Sequence, residues 1–189
     1  MPLEIEAKYR LDDPDAVRDR LRACGVRRIG AVLETNYYFD RPDGGMRWAD
    51  CGLRIRVAES AEPGVAAPKV TVTYKGPRKP GPLKVREEIE FAADDADAAA
   101  AVLEALGLVR ALSFQKRRES WRMESCEIVL DELPYLGHFA EIEGPDEAAV
   151  MAVAGRLGLS DLPLERTAYS TLISAYRDEA NLAPGLIAF

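Results

Sequence analysis

Histidine is nearly missing from this 189-residue chain, which has one copy, His138, and cysteine occurs only as Cys24, Cys51 and Cys126. A lone imidazole with no partner in the pattern rules against a Ser-His-Asp triad built on Ser120 or Ser125. His138 is therefore read as structural or solvent-facing, not as a general base. Three scattered thiols without a Cys-x-x-Cys pair signal neither a disulfide framework nor a zinc site, and are expected as buried or half-buried free thiols. Positive charge is outnumbered: 25 Lys and Arg stand against 32 Asp and Glu, for a net charge of −7. A broad nucleic-acid-binding face is not expected from that balance. Long apolar runs are missing too, since no stretch approaches the roughly 18 residues of a membrane span. Met1 to Arg10 is already charged, so a cytoplasmic protein with no membrane partner is expected. Aromatic residues make up only 7% of the chain, and its two tryptophans, Trp48 and Trp121, are read as packing residues.

What is present is a chain with 48% hydrophobic and 30% charged residues, enough to bury a core and too apolar for disorder. With no repeat or low-complexity linker, residues 1–189 read as one domain. Period-two alternation and its breakers predict about eight strands, near 3–11, 31–39, 52–59, 69–76, 83–92, 112–122, 126–132 and 138–144. Helical patterns fall at 14–24, where Pro14 opens the first turn and Gly25 follows the end, and at 94–106, 146–157 and 164–178. The fold class is α+β. Segments 64–68 and 76–82 are too rich in Gly and Pro to continue a ladder and read as exposed hairpin loops. The apolar tail from Ala183 to Phe189 reads as packing on the body or on a second subunit.

The strands carry charge on one face. Glu4, Glu6, Lys8 and Arg10 share a side opposite Leu3, Ile5, Ala7 and Tyr9; Arg54 and Arg56 alternate with Leu53, Ile55 and Val57. Thr71, Thr73 and Lys75, then Arg86, Glu88 and Glu90, then Lys116 and Arg118, and finally Asp131, Glu141 and Glu143 repeat the split. Two structures satisfy this pattern. One is an ordinary antiparallel sheet with its ionic face in water. The other is a sheet curled into a barrel with the charges inside, which about eight strands can close around a small ligand. Paired Arg forks and same-face carboxylate pairs favour the second, because a polyphosphate needs cations for its oxygens, and carboxylates suit Mg²⁺ or Mn²⁺.

Glu4-Ile5-Glu6-Ala7-Lys8 resembles the ExExK signature that opens the CYTH superfamily of triphosphate tunnel enzymes. The resemblance continues through Asn36-Tyr37-Tyr38-Phe39-Asp40, Leu53-Arg54-Ile55-Arg56, Thr73-Tyr74-Lys75-Gly76-Pro77, Arg86-Glu87-Glu88-Ile89-Glu90, Lys116-Arg117-Arg118, Leu130-Asp131-Glu132 and Phe139-Ala140-Glu141-Ile142-Glu143. Within the superfamily it is similar to the class IV adenylyl cyclase branch, which adjoins the thiamine triphosphatases and inorganic triphosphatases. The resemblance implies an eight-stranded antiparallel closed β-barrel, a triphosphate tunnel with helices packed outside, and a Mg²⁺ or Mn²⁺ cofactor. It further implies Glu4, Glu6, Asp131, Glu141 and Glu143 as metal carboxylates. Lys8, Arg54, Arg56, Lys75 and Arg118 become the catalytic phosphate-holding cations, with Lys116 and, near the C-terminus, Arg166 as further substrate contacts. Glu88 and Glu90 would line the tunnel beside the substrate, either orienting basic side chains or joining the metal shell. Asn36 departs from the Asp that many relatives carry before the Tyr-Phe pair. The implied reaction is ATP to cyclic AMP and pyrophosphate, or else hydrolysis of thiamine triphosphate or tripolyphosphate, with a non-catalytic polyphosphate-binding module as a third reading. Relatives are often dimeric, which leaves a homodimer open.

Overall fold

The computed structural model describes residues 3–62 and 67–189. Its strands are β1 (Leu3–Leu11), β2 (Arg27–Asp40), β3 (Gly52–Ser60), β4 (Lys69–Lys75), β5 (Lys84–Ala93), β6 (Val109–Met123), β7 (Cys126–Leu133) and β8 (Gly137–Glu143). They hydrogen-bond in the order β2-β3-β4-β5-β1-β8-β7-β6, and β6 pairs back onto β2. Every one of these pairings is antiparallel, so the eight strands form a closed barrel. Closure removes the unpaired edges of an open sheet. It also assigns each alternating face to the lumen or the outside, the choice that the sequence pattern alone left open.

The seam between β2 and β6 runs from Arg27 opposite Arg122 to Asp40 opposite Val109, with register shifts at Arg28/Gly30 and Tyr38/Phe39. Both strands are longer than expected, because seam pairing carries them through Arg27, Arg28 and Arg110, where no alternation marks a strand. A two-residue strand, β9 (Leu186–Ile187), joins β6 in parallel at Ser113 and Phe114. The tail therefore packs on its own body, with Arg117 lying 3.9 Å over the ring of Phe189.

Helices α1 (Pro14–Ala23), α3 (Ala96–Ala105) and α4 (Glu147–Arg156) lie outside. Each begins on an aspartate, Asp13, Asp95 or Asp146, whose carboxylate accepts from backbone N–H groups of the first turn. Val17 and Leu21 of α1 and Val150, Val153 and Ala154 of α4 bury against Ala7, Tyr9, Ile128, Ala140 and Ile142 on the outer face of the barrel. Ala100 of α3 covers Ile55, Val70 and Val72 in the same way. At the corner from β8 into α4 a Cβ on Gly144 would stand 2.7 Å from Cys126 Sγ, so only glycine fits there. Among the described residues no helix is long and apolar enough to cross a membrane.

The last helix, α5 (Tyr169–Glu179), starts later than the expected 164. Leu164 bridges Tyr9, and the Glu165 N–H donates to Lys8 O at 2.8 Å, so this stretch is extended against β1 before the helix begins. Tyr169 and Ile173 then pack on Leu112, Phe114, Leu133 and Phe139 at one end of the barrel. A one-turn helix, α2 (Gly45–Trp48), was not anticipated. The loop expected at 76–82 is irregular and runs on through Leu83, while residues 64–66 of the loop expected at 64–68 lie outside the described residues. Cys24 is exposed, unlike the buried or half-buried thiol expected, while Cys51 is half-buried and Cys126 buried.

Candidate functional site

The ionic faces of the strands meet in a cavity of about 1140 Å³ inside the barrel. One wall is made by β2, β3, β6 and β7. Here Arg54, Arg56, Lys116 and Arg118 are brought together; two buried carboxylates hold the last three, and Arg54 Nη2 donates to Thr73 Oγ1 at 3.2 Å. Glu34 lies 3.0 Å from Arg56 Nη1 and 3.2 Å from Lys116 Nζ. Asp131 accepts from Lys116 Nζ at 3.1 Å and from Arg118 Nε and Nη2 at 2.8 and 2.7 Å. Burial alone would raise Glu34, but Lys116, Arg118, Arg56 and Arg54 outweigh it and hold the carboxyl far below the ordinary range. Arg56 moves the other way: burial, then the neighbouring Arg54 charge, pushes it down to about 10. Lys116 is lowered for the same two kinds of reason, burial and the charge of Arg118. This wall carries more positive charge than its own carboxylates neutralise, and Arg54 Nε finds no acceptor among the described residues.

The opposite wall is made by β1, β5 and β8, and its composition is reversed. Glu6 stands directly across from Glu143 in the β1–β8 pairing, and Glu4 lies two residues from Glu6 on the same face. Lys75 Nζ reaches Glu4 at 2.7 Å and Glu88 at 2.9 Å, and Lys84 Nζ reaches Glu6 at 2.5 Å. Glu143 has no such partner among the described residues. It keeps an exposed edge, yet burial in the lumen, followed by the charges of Glu4 and Glu6, pushes it up to about 7. Burial, then the charge of Glu141, also raises Glu6 in spite of Lys84.

Between the walls, Glu141 accepts from Arg118 Nη2 at 2.8 Å and lies 4.0 Å from Lys8 Nζ. Burial would raise it, but Arg118, Lys116 and Lys8 hold it low. Lys8 donates to Thr167 O at 2.5 Å and lies 4.3 Å above the ring of Tyr169, which closes this end of the cavity. Burial depresses the Lys8 ammonium in spite of Glu141.

The cavity brings together Glu4, Glu6, Lys8, Arg54, Arg56, Lys75, Glu88, Glu90, Lys116, Arg118, Glu141 and Glu143. Three residues stand elsewhere. Asp131 does not line the cavity; its side chain is fully buried behind Lys116 and Arg118, so it anchors cations instead of facing a metal. Arg166 is exposed and donates to the carbonyls of Gly81 and Pro82, tying down the loop between β4 and β5. Arg10 leaves the charged face at the strand end, donating to Leu136 O at 2.9 Å and lying over Phe139. Sequence reading missed Glu34, Lys84 and Tyr169. Glu34 lies two residues before Asn36 and Lys84 two before Arg86, so extending each alternation by one step would have found both. Tyr169 had no signal, because only the chain reversal into α5 brings it to the cavity. Asn36, the departure from the family pattern, accepts from Arg56 Nε at 3.0 Å with its side-chain oxygen.

A divalent cation fits the acidic wall by donor chemistry. Glu4, Glu6 and Glu143 are oxygen donors crowded on two paired strands, and Glu143 is pushed up to about 7 by burial and then by the charges of Glu4 and Glu6. As they stand, with Lys75 and Lys84 bound between them, no three carboxylates among the described residues converge on one point.

The architecture is a closed antiparallel tunnel with a cationic wall facing an acidic one. A family model described as CYTH domain matches residues 2–156, and the chain belongs to that family. It is 33% identical over 182 residues to adenylate cyclase CyaB of Aeromonas hydrophila, covering 89% of this chain and 87% of that one. The solved structure of the PH1819 protein of Pyrococcus horikoshii superposes with a TM-score of 0.77 at 27% identity, covering 91% of this chain and 99% of the other. A Hippeastrum protein, HpAC1, named as an adenylyl cyclase with a dominant triphosphatase activity, shares the fold at a TM-score of 0.67 and 22% identity, over 96% and 98% of the two chains.

Proposed function

We propose that this chain binds a triphosphate with Mg²⁺ or Mn²⁺ in its tunnel and converts ATP to cyclic AMP and pyrophosphate. The observation that carries this reading is the division of one cavity into a cation-rich and a carboxylate-rich wall, which is the charge pattern of a metal polyphosphate. Arg54, Arg56, Lys116 and Arg118 hold non-bridging phosphate oxygens on one side, with Lys8 at the floor. Arg56, Lys116 and Arg118 are fixed beforehand by Glu34, Asn36 and Asp131, and Arg54 by Thr73, so little reorganisation is needed when substrate enters. Lys75 exchanges part of its Glu4 and Glu88 contacts for phosphate, and Glu90, which accepts from Thr73 Oγ1 at 2.7 Å, keeps that side of the wall ordered. Glu4, Glu6, Glu141 and Glu143 are the residues that would hold the cation. When bound, it draws charge from the phosphate oxygens and lowers the barrier to in-line attack.

Cyclisation requires the ribose 3′ oxygen to reach the α-phosphorus with pyrophosphate leaving. Hydrolysis requires water on the γ-phosphorus. The likeness to the Aeromonas cyclase supports the first. The second is kept because the Hippeastrum protein builds a dominant triphosphatase on the same fold. The test is to incubate the protein with ATP, tripolyphosphate or thiamine triphosphate, each with Mg²⁺ and with Mn²⁺, and to separate cyclic AMP, pyrophosphate and orthophosphate. Cyclic AMP that vanishes in Glu143→Gln is the expected result. Orthophosphate without cyclic AMP makes the protein a triphosphatase, and no product from any substrate overturns both.

A further inference from the structure

Trp48 is 83% exposed, although Trp121, the only other tryptophan, is 3% exposed and packed in the core. Trp48 ends α2 in the loop that joins β2 to β3 at the mouth of the tunnel. Its neighbours Gly44, Arg47 and Asp50 line the cavity, and its Nε1 lies 3.6 Å from where a Cβ on Gly44 would stand. The indole thus sits on the lip of the opening, outside the wall.

The loop that carries it is pinned at both ends. The buried Asp40 carboxylate accepts from the backbone N–H groups of Arg41, Met46 and Arg47 at 2.7, 2.8 and 3.2 Å. Asp50 accepts from Arg78 N and Nε at 2.9 and 2.8 Å. These anchors hold the indole in a fixed position beside the opening, with its faces in water. Meanwhile the cavity, at about 1140 Å³, is at or above the upper end of the roughly 300–1,000 Å³ usual for small-molecule sites, and an inorganic triphosphate would fill only part of it.

We infer that Trp48 is a stacking platform for the flat heteroaromatic group of an organic triphosphate whose phosphates lie in the tunnel. This rests on the triphosphate reading above and deepens it, since it makes the substrate organic. Indole faces stack on nucleobases and similar rings without regard to their hydrogen-bonding edges. Arg47, beside the indole, would neutralise phosphate that extends toward the mouth. A nucleobase and the pyrimidine or thiazolium ring of thiamine share this chemistry, and the experiment separates them.

In Trp121→Phe protein Trp48 is the sole indole. Its emission is recorded with Mg²⁺ and α,β-methylene-ATP, thiamine triphosphate or tripolyphosphate, while a thermal shift in the same samples reports occupancy. One or both organic ligands should quench or shift the emission, and tripolyphosphate at equal occupancy should not. Whichever organic ligand responds identifies the ring. Trp48→Ala, an exposed change on an otherwise wild-type chain, should weaken that ligand about ten-fold and leave tripolyphosphate unchanged. Equal emission changes with all three ligands, no change despite a thermal shift, or equal weakening by Trp48→Ala overturns the stacking role and leaves the triphosphate reading standing. No thermal shift with any ligand overturns both.

Discussion

The two walls of the tunnel use the same residue types to opposite ends. On the β2–β3–β6–β7 side, Glu34 and Asp131 are each surrounded by guanidinium and ammonium groups, and Glu34 is held ionised far below its ordinary range. On the β1–β5–β8 side, Glu6 and Glu143 oppose one another and both are raised. Carboxylates of the first kind are structural, since they set where cations point. Those of the second kind repel one another, which is the property the proposed cation site rests on. Burial is common to both walls, so the difference lies in the sign of the surplus charge beside each group.

The largest effect that would break this comparison is expected from Glu34→Gln. It leaves Arg56 with no carboxylate and Lys116 with Asp131 alone, and uncompensated buried charge of this kind costs about 3–5 kcal/mol. Denaturant titration should show that loss. The same change at Glu143 removes a repulsion, so metal-free Glu143→Gln should melt no lower than wild type while losing on the order of 100-fold in metal-dependent turnover. A comparable melting loss in both variants would mean that the walls are not different in kind.

The pH response sharpens the same point. Glu34 is lowered in the folded state, so its stabilisation is complete above its unfolded value near 4.5 and is lost as pH falls below that. Melting temperature should fall steeply below about pH 4.5 in wild type and less steeply in Glu34→Gln. The smallest effect is expected at Arg166. Arg166→Ala should leave KM for the triphosphate within about two-fold, while amide exchange in the loop spanning residues 76–83 becomes faster, since only the carbonyls of Gly81 and Pro82 lose a donor.

Much of this was legible in advance for a definite reason. Period-two alternation reports which side chains share a face, so the lumen-facing sets on β1, β3 and β4 could be read directly. Alternation does not report which face is concave; the paired Arg and carboxylate positions favoured a barrel, and the family resemblance added its closure with eight strands. Nor does it say which members of a face meet one another. Asp131 and Glu143 occupy equivalent inward positions, yet Asp131 lies opposite Arg118 in the β6–β7 register and Glu143 lies opposite Glu6. That register difference makes one an anchor and leaves the other facing the cavity. Arg166 was misplaced for a similar reason: its basic character was visible, but the extended path of Leu164 and Glu165 along β1, which carries it to the outer loop, was not. Trp48 was read as packing because tryptophan usually is buried, and nothing local distinguishes a lip from a core.

The β2–β6 seam has a consequence for how the protein is made. It joins residues near 30 to residues near 115, across a long intervening chain, and such distant pairings form late because loop closure must be met before the contacts reward it. Glu34 and Arg56 lie on one side of that seam and Lys116 and Arg118 on the other. The cationic wall is therefore absent from any partly folded chain in which the seam is open, and a nascent or refolding molecule assembles that wall only on completing the ring.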